Sequence, residues 1–120
     1  NWYLLAAKQG NVQAQHNLAL MYQSGTGVSQ NYGSAVRWYT LSAKQGNKSA
    51  QLNLGQMYSK GLGVKQDDVY AYMWWKIAES SGDIIAKKNV VAVTKRMTPR
   101  QILRGDKLAT DFRINKSDEF

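Results

Sequence analysis

The sequence predicts an all-α solenoid, in which pairs of helices stack along one axis and a separate helix caps the C-terminal end. The main observation is an internal repeat with a period of 36 residues. Residues 38–64 (WYTLSAKQGNKSAQLNLGQMYSKGLGV) are nearly a copy of residues 2–28 (WYLLAAKQGNVQAQHNLALMYQSGTGV), and a weaker third copy starts at Trp74. The second observation is that each copy carries apolar residues at helical spacing.

Each copy is predicted to contain two helices joined by a very short turn. Residues 10–11 and 46–47 are Gly-Asn, and residues 82–83 are Gly-Asp. Glycine tolerates the left-handed backbone just past a helix end, and Asn or Asp caps the helix that follows. We therefore expect a second helix from about Val12 to Ser24 in the first copy.

One apolar stripe on each second helix is expected to form the core. In register, the stripes are Ala14, Leu18, Met21 and Tyr22; Ala50, Leu54, Met57 and Tyr58; and Ala86, Val90 and Val93. The aromatic pairs Trp38–Tyr39 and Trp74–Trp75 of the first helices are interpreted as packing between helices, because such rings bury large areas. They are not interpreted as a ligand cage.

Glycine loops end the first two helix pairs, at residues 25–28 (GTGV) and 61–64 (GLGV). Gly-x-Gly suggests a nucleotide site, but that site requires a preceding strand and a third glycine that opens a helix. Here a helix precedes each loop. We therefore interpret the loops as tight turns with positive φ, with Val28 and Val64 packed between repeats.

The third glycine loop is replaced by Met97-Thr98-Pro99, which indicates the start of a capping helix. Thr98 suits the N-cap, Pro99 the first helical position, and Gln101 completes a capping box. The expected apolar face consists of Ile102, Leu103, Leu108, Ala109 and Phe112. The predicted divisions of this single domain are repeats at about 1–30, 31–66 and 67–97, a capping helix at 98–113 and a polar tail at 114–120.

The net charge of +8 is unevenly distributed and favours acidic partners. No Asp or Glu precedes Asp67. A basic cluster in the C-terminal third consists of Lys87, Lys88, Lys95, Arg96, Arg100, Arg104 and Lys107. Because phosphate binding requires positive charge, this cluster makes nucleic-acid binding an alternative hypothesis.

The sequence predicts no enzyme, no catalytic site, no cofactor and no metal site. His16 is the single histidine, and there is no cysteine to complete a zinc site or act as a nucleophile. No apolar run approaches the roughly 18 to 20 residues that a membrane-spanning helix needs. His16 is interpreted as a partly buried or surface histidine beside the apolar stripe.

The first helix is expected to be a truncated one. Ala35 and Ala71 open the later copies, whereas the matching residue of the first copy would precede Asn1. We therefore interpret the chain as a processed product or a fragment. Both a cytoplasmic and a periplasmic or secreted bacterial location remain compatible with it.

The pattern A-x-x-W-Y-x-x-x-A-K-Q-G-N-x-x-A-Q-x-N-L-G-x-M-Y-x-x-G-x-G-V closely resembles the Sel1-like repeat, a helix-pair repeat related to the tetratricopeptide repeat. The period of 36 fits it better than the tetratricopeptide period of 34. The resemblance covers residues 2 to about 94. The third copy departs from it, since Glu79 replaces Ala43 and the glycine loop is lost.

This resemblance implies a right-handed superhelix with a concave groove, and a function in binding other proteins. The first helices would line the groove. The partner-binding residues expected there are Leu4, Lys8, Arg37, Thr40, Lys44, Tyr72, Met73 and Lys76. An adaptor that binds a partner with an acidic contact surface is the first hypothesis. A bacterial immunity or inhibitor protein that neutralises an effector is the second, and nucleic-acid binding the third.

Overall fold

The computed structural model describes the backbone of residues 2–118 and the side chains of residues 2–115. Within that part of the chain it contains seven α-helices and no strand, in a body of 45 × 34 × 23 Å. The helices are α1 (Trp2–Lys8), α2 (Val12–Ser24), α3 (Tyr32–Lys44), α4 (Lys48–Lys60), α5 (Asp68–Ser80), α6 (Ile84–Thr94) and α7 (Pro99–Asp118). The predicted all-α repeat superhelix is confirmed.

The short turns inside each helix pair are capped as predicted. The side chains of Asn11, Asn47 and Asp83 each accept a hydrogen bond of 2.8 Å from the backbone N–H three residues on. Such a cap satisfies one of the backbone donors that a helix start leaves unpaired. The pattern Gly-Asn or Gly-Asp therefore sets where α2, α4 and α6 begin.

The glycine loops are tight turns, also as predicted. Gly25 and Gly61 close α2 and α4 in the left-handed region, with φ of 76° and 70°. Their N–H groups donate to the carbonyl oxygens of Met21 and Met57. Val64 is half-buried and packs against the main core cluster.

Helices α3 and α5 each place one fully or nearly buried aromatic side chain against the second helix that precedes them. Tyr39 is fully buried in the same cluster as Ala19, and its hydroxyl donates to Gln23 Oε1 at 2.5 Å. In the next repeat the indole of Trp75 lies against Gly55 and donates to the carbonyl of Leu52 at 3.1 Å. The pairs Ala19–Tyr39 and Gly55–Trp75 occupy the same register, with the smaller residue facing the larger ring.

Two buried glutamines join the helices within a pair. Gln15 Nε2 donates to the carbonyl of Ala7, and Gln51 Nε2 donates to that of Ala43, both at 3.0 Å. Each therefore satisfies an acceptor near the end of a first helix, where intrahelical partners run out. At this register the third copy carries Lys87, which is exposed.

Helix α7 starts with the predicted capping box. Thr98 Oγ1 accepts from the N–H of Gln101 at 3.1 Å, and Gln101 Oε1 accepts from the N–H of Thr98 at 2.8 Å. The helix continues to Asp118, so the expected helix end at 113 and the polar tail at 114–118 are wrong. Residues 114–118 contain neither Gly nor Pro, so they offer no signal that ends a helix. The expected tail residues 119 and 120 lie outside the described residues.

Helix α7 docks along α5. Trp74 of α5 and Phe112 of α7 meet edge to face, with ring centroids 5.3 Å apart. Gly105 and Ala109 of α7 are buried in this contact. Leu103, which was expected on the apolar face, is 71% exposed, because the close approach at Gly105 sets the rotation of the helix.

Candidate functional site

The first helices present a surface on the side away from the second helices. Along α1 and α3 this surface is open. We call this surface the groove face and define it by Leu4, Lys8, Arg37, Thr40, Leu41 and Lys44. The cations Lys8, Arg37 and Lys44 are exposed on it. Leu41, which the sequence reasoning missed, lies one turn from Arg37 and is 46% exposed. The face therefore combines positive charge with an exposed aliphatic side chain.

Two further groove-face residues are half-buried. Leu4 packs against the cluster formed by Ala7, Ala14 and Leu18. The Thr40 hydroxyl donates to the carbonyl of Val36 at 2.7 Å, so its proton is already used within the helix. Both side chains shape the surface, whereas the exposed cations and Leu41 offer the larger contacts.

On α5 the corresponding surface is covered. Tyr72 and Met73 are 3% and 7% exposed, so the expectation that they face an open groove is wrong. Met73 belongs to the same buried cluster as Ala109 of α7, and Tyr72 lies against Gly105. Helix α7 takes the place there that a partner segment was expected to take.

A difference between copies explains why α7 docks on α5 and leaves α3 open. The α3 surface carries Ser34, Arg37 and Leu41. At the same three registers α5 carries Tyr70, Met73 and Ile77. Burying apolar side chains is favourable at roughly 25 cal/mol per Å², whereas burying a guanidinium without a partner is costly. This apolar substitution was the signal in the sequence for a covered α5.

Polar contacts fix the position of α7. The Tyr72 hydroxyl donates to Asp106 Oδ1, and the Arg104 guanidinium lies over the ring of Tyr70, 5.9 Å from its centroid. Burial, and then the hydrogen bond to the Asp106 carboxylate, raise the pKa of the Tyr72 hydroxyl. Tyr72 therefore stays protonated and acts as a donor at neutral pH.

Lys76, the last of the expected partner-binding residues, is half-buried at the edge of the α5–α7 contact. It lines a small depression with Glu79, Ser80 and Arg113. Because Glu79 and Arg113 also carry charges, Lys76 lies in a mixed electrostatic environment. It borders the groove face without belonging to its open part.

The basic cluster of the C-terminal third is divided between two helices. Lys87, Lys88 and Lys95 lie on or directly after α6, whereas Arg100, Arg104 and Lys107 lie on α7. Arg96 donates to both carboxylate oxygens of Asp68 at 3.0 Å and to Ser59 Oγ at 2.9 Å. The sequence cluster is therefore not one continuous positive surface, and Asp68 compensates one of its charges.

His16 lies inside the packing between the first two repeats. Its Nε2 is 3.4 Å from Asn53 Nδ2, and its ring centroid is 5.9 Å from that of Tyr39. Burial lowers the pKa of the imidazole, and Nδ1 has no hydrogen-bond partner among the described residues. These contacts are those of a core side chain, so His16 is more deeply buried than the partly buried or surface histidine predicted from the sequence.

Among the side chains of residues 2–115, no group of three or more His, Cys, Asp or Glu is arranged to hold a metal ion. None of the helices described between residues 2 and 118 has the length and apolar character needed to cross a membrane.

The family model for the Sel1 repeat matches residues 1–11, 12–47 and 48–83 of this chain. The matched segments cover α1 to α5 and end before α6. Each complete match joins a second helix to the first helix that follows it, which is the contact formed by Tyr39 and by Trp75. No curated protein matches the chain.

Two proteins are among those whose crystal structures resemble the fold. One is a protective antigen present in uropathogenic Escherichia coli strains and displaying an SLR fold, with 30% sequence identity and a TM-score of 0.93, covering 98% of this chain. The other is a Sel1 repeat protein from Oxalobacter formigenes, with 38% identity and a TM-score of 0.72, covering 74% of this chain. The present chain spans 26% and 37% of the lengths of these two proteins.

Proposed function

This chain belongs to the Sel1 repeat family, and from that premise we propose that its groove face binds an acidic, partly apolar segment of another protein. Proteins of this family are generally scaffolds for protein–protein interaction and typically lack enzymatic activity. The proposal adds to this family role a surface, defined by α1 and α3, and a partner chemistry.

The observation that carries the proposal is the docking of α7 on α5. Met73 and Ile77 of α5 are covered by a helix, while Arg37 and Leu41 stand at the same registers of α3 and remain accessible. The row of first helices therefore already accepts one amphipathic helix in this molecule. A partner segment beside α7 would extend the same mode of packing over the neighbouring repeat.

The chemistry expected of the partner follows from the side chains that α3 carries at the registers where α5 carries Met73 and Ile77. Leu41 offers an apolar contact, and Arg37 and Lys44 flank it at one-turn spacing. Carboxylates opposite these cations would raise the association rate and fix the register, while the aliphatic contact would add affinity. A segment with carboxylates on either side of an apolar residue matches this surface.

Site-specific photo-crosslinking tests this proposal. A benzophenone amino acid at Leu41 in the intact chain should cross-link a protein from lysate of the source cells, and mass spectrometry would identify it. The same probe at Lys60, an exposed residue on the second-helix side, is the matched control. Loss of the cross-linked product after Arg37→Glu supports the groove face, whereas equal products from positions 41 and 60 would overturn it.

A further inference from the structure

The outward surface of α6 is exposed and has an unusual composition. We call this surface the α6 face and define it by Ile84, Lys87, Lys88, Val91 and Lys95. Ile84 is 71% exposed and Val91 is 55% exposed. These two residues, with Lys87 and Lys88, line a shallow depression. The spacing of seven places Ile84 and Val91 on one side of the helix, two turns apart.

In the two earlier repeats this register receives a helix. On α4, Leu52 and Gly55 contact Trp75 of α5. On α2, the ring of His16 lies beside Tyr39 of α3, whose buried cluster includes Ala19. The corresponding residues of α6 are Lys88 and Val91. Because α7 docks on α5, it places no aromatic side chain against these two residues. The fold therefore repeats a helix-binding register on α6 and leaves it exposed.

The residues on α6 are not suited to another first helix of this repeat. Trp75 fits beside Gly55 because glycine leaves room for the indole, whereas Val91 at the same register of α6 would obstruct a large ring. Lys87 likewise stands where earlier repeats bury a glutamine. A helix that binds here must bring aliphatic side chains of moderate size and must neutralise lysines.

The α6 face carries three lysines, and α6 itself contains no acidic residue. The nearest acidic residue in the sequence is its N-cap, Asp83, and no Asp or Glu follows until Asp106. Lys87, Lys88 and Lys95 are all exposed. The apolar strip between them is narrow and carries no aromatic residue of the kind that anchors proteins at a membrane interface.

We propose that the α6 face binds an acidic amphipathic helix of a partner protein. Aliphatic side chains of that helix contact Ile84 and Val91, and its carboxylates contact Lys87, Lys88 and Lys95. The resulting contact reproduces the helix-on-helix packing of the earlier repeats, with charge complementarity in place of the aromatic residue. This surface is separate from the groove face on α1 and α3, so peptide binding to it is measured with the groove face disabled by Arg37→Glu.

The test uses the intact chain and a fluorescein-labelled helical peptide held by a hydrocarbon staple. The peptide carries leucines at helical spacing flanked by glutamates, and a control peptide carries glutamines at the flanking positions. Fluorescence anisotropy should show binding of the glutamate peptide in the micromolar range, with the glutamine peptide at least about tenfold weaker. Absence of binding at about 1 mM protein would overturn the proposal.

Two variants locate the site. Val91→Ser and Lys88→Glu should each weaken peptide binding by about tenfold or more, because the first removes an apolar contact and the second reverses a charge. All of these proteins, the parent included, carry Arg37→Glu, which weakens any binding of the peptide to the groove face. Lys60→Glu on α4 is the charge-matched control and should bind within about twofold of that parent. Circular dichroism checks that each exposed substitution preserves the fold.

Competing ligands are measured with the same proteins. Vesicles of phosphatidylcholine and phosphatidylserine, and single-stranded oligothymidine, should bind weakly and without dependence on Val91. If either probe binds more tightly than the peptide and loses binding in Lys88→Glu, the α6 face is a membrane or nucleic-acid surface. That result, or equal peptide affinity for Val91→Ser and the parent chain, would overturn the proposal.

Discussion

Gly105 of α7 lies directly against the ring of Tyr72 of α5, so closely that a β-carbon at position 105 would overlap the ring. This contact determines how α7 is rotated and how near it comes to α5. It also places Asp106 within hydrogen-bonding reach of the Tyr72 hydroxyl. The position of α7 in turn decides which part of the first-helix surface remains open to a partner.

Gly105→Ala is predicted to destabilise the protein. Alanine is better than glycine in an exposed helix by about 1 kcal/mol, but here the added methyl group displaces Tyr72. We expect a net loss of about 1 to 3 kcal/mol in the free energy of unfolding, measured by urea denaturation.

The matched control is Thr110→Ala, which also introduces alanine into α7 but at an exposed position. It should change the free energy of unfolding by less than about 0.5 kcal/mol. In addition, Tyr72→Leu should relieve part of the Gly105→Ala penalty because it removes the obstructing ring. Equal effects of Gly105→Ala in both backgrounds would contradict the proposed contact.

A double-mutant cycle tests the size matching between Gly55 and Trp75. Gly55→Ala alone should destabilise the protein by about 1 to 3 kcal/mol, because the methyl group forces the indole away from the carbonyl of Leu52. Adding Trp75→Tyr recreates the pair Ala19–Tyr39 of the preceding repeat. The double variant should therefore be more stable than the sum of the two single changes predicts, by about 1 kcal/mol or more. Strict additivity in urea denaturation would show that the two positions do not compensate each other.

The pH dependence of stability is predicted to involve His16. Burial lowers its pKa in the folded state from the ordinary value of 6.5, so protonation favours the unfolded state. The stabilisation is present above about pH 6.5 and decreases as the pH falls toward the lowered folded value. His16→Leu, which installs the residue found at Leu52 of the next repeat, removes this titration.

Urea denaturation at several pH values between about 7.5 and 5 checks this prediction, with both proteins in the same buffers. The parent chain should lose stability on acidification over this range more steeply than the His16→Leu variant. Parallel pH profiles for the two proteins would mean that His16 titrates alike in the folded and unfolded states.

Much of the fold could be predicted from the sequence because its determinants are local. Asn11 and Asn47 cap helices wherever a Gly-Asn pair occurs, and Thr98 with Gln101 forms a capping box within four residues. The repeat then shows that the same local structure recurs. Helix starts and glycine turns were therefore predicted closely.

The docking position of α7 is determined by contacts between residues that are far apart in the sequence. Its apolar face could pack on α3 or on α5, and the repeat pattern alone favoured neither. The decisive difference is that α5 carries Met73 where α3 carries Arg37. The rotation of α7 depended on Gly105, a residue without an apolar side chain, so hydrophobic periodicity placed Leu103 on the wrong face.

The exposure of the candidate binding residues was predicted correctly for some of them only, because it too depends on where α7 docks. Lys8, Arg37 and Lys44 are exposed as expected, because the registers of α1 and α3 follow the repeat. Tyr72 and Met73 are buried because the copy that carries them is covered by a helix from outside the repeat. Their roles in partner binding remain predictions that binding measurements must address.

The most direct test of the groove-face proposal is the affinity of the cross-linked partner for two charge-matched double variants. Arg37→Glu with Lys44→Glu reverses two cations on the groove face, whereas Lys60→Glu with Lys65→Glu reverses two exposed cations elsewhere. Surface plasmon resonance should show at least about tenfold weaker binding for the first variant, and less than about twofold change for the second. Equal affinities of the two variants for the partner would contradict binding through the groove face.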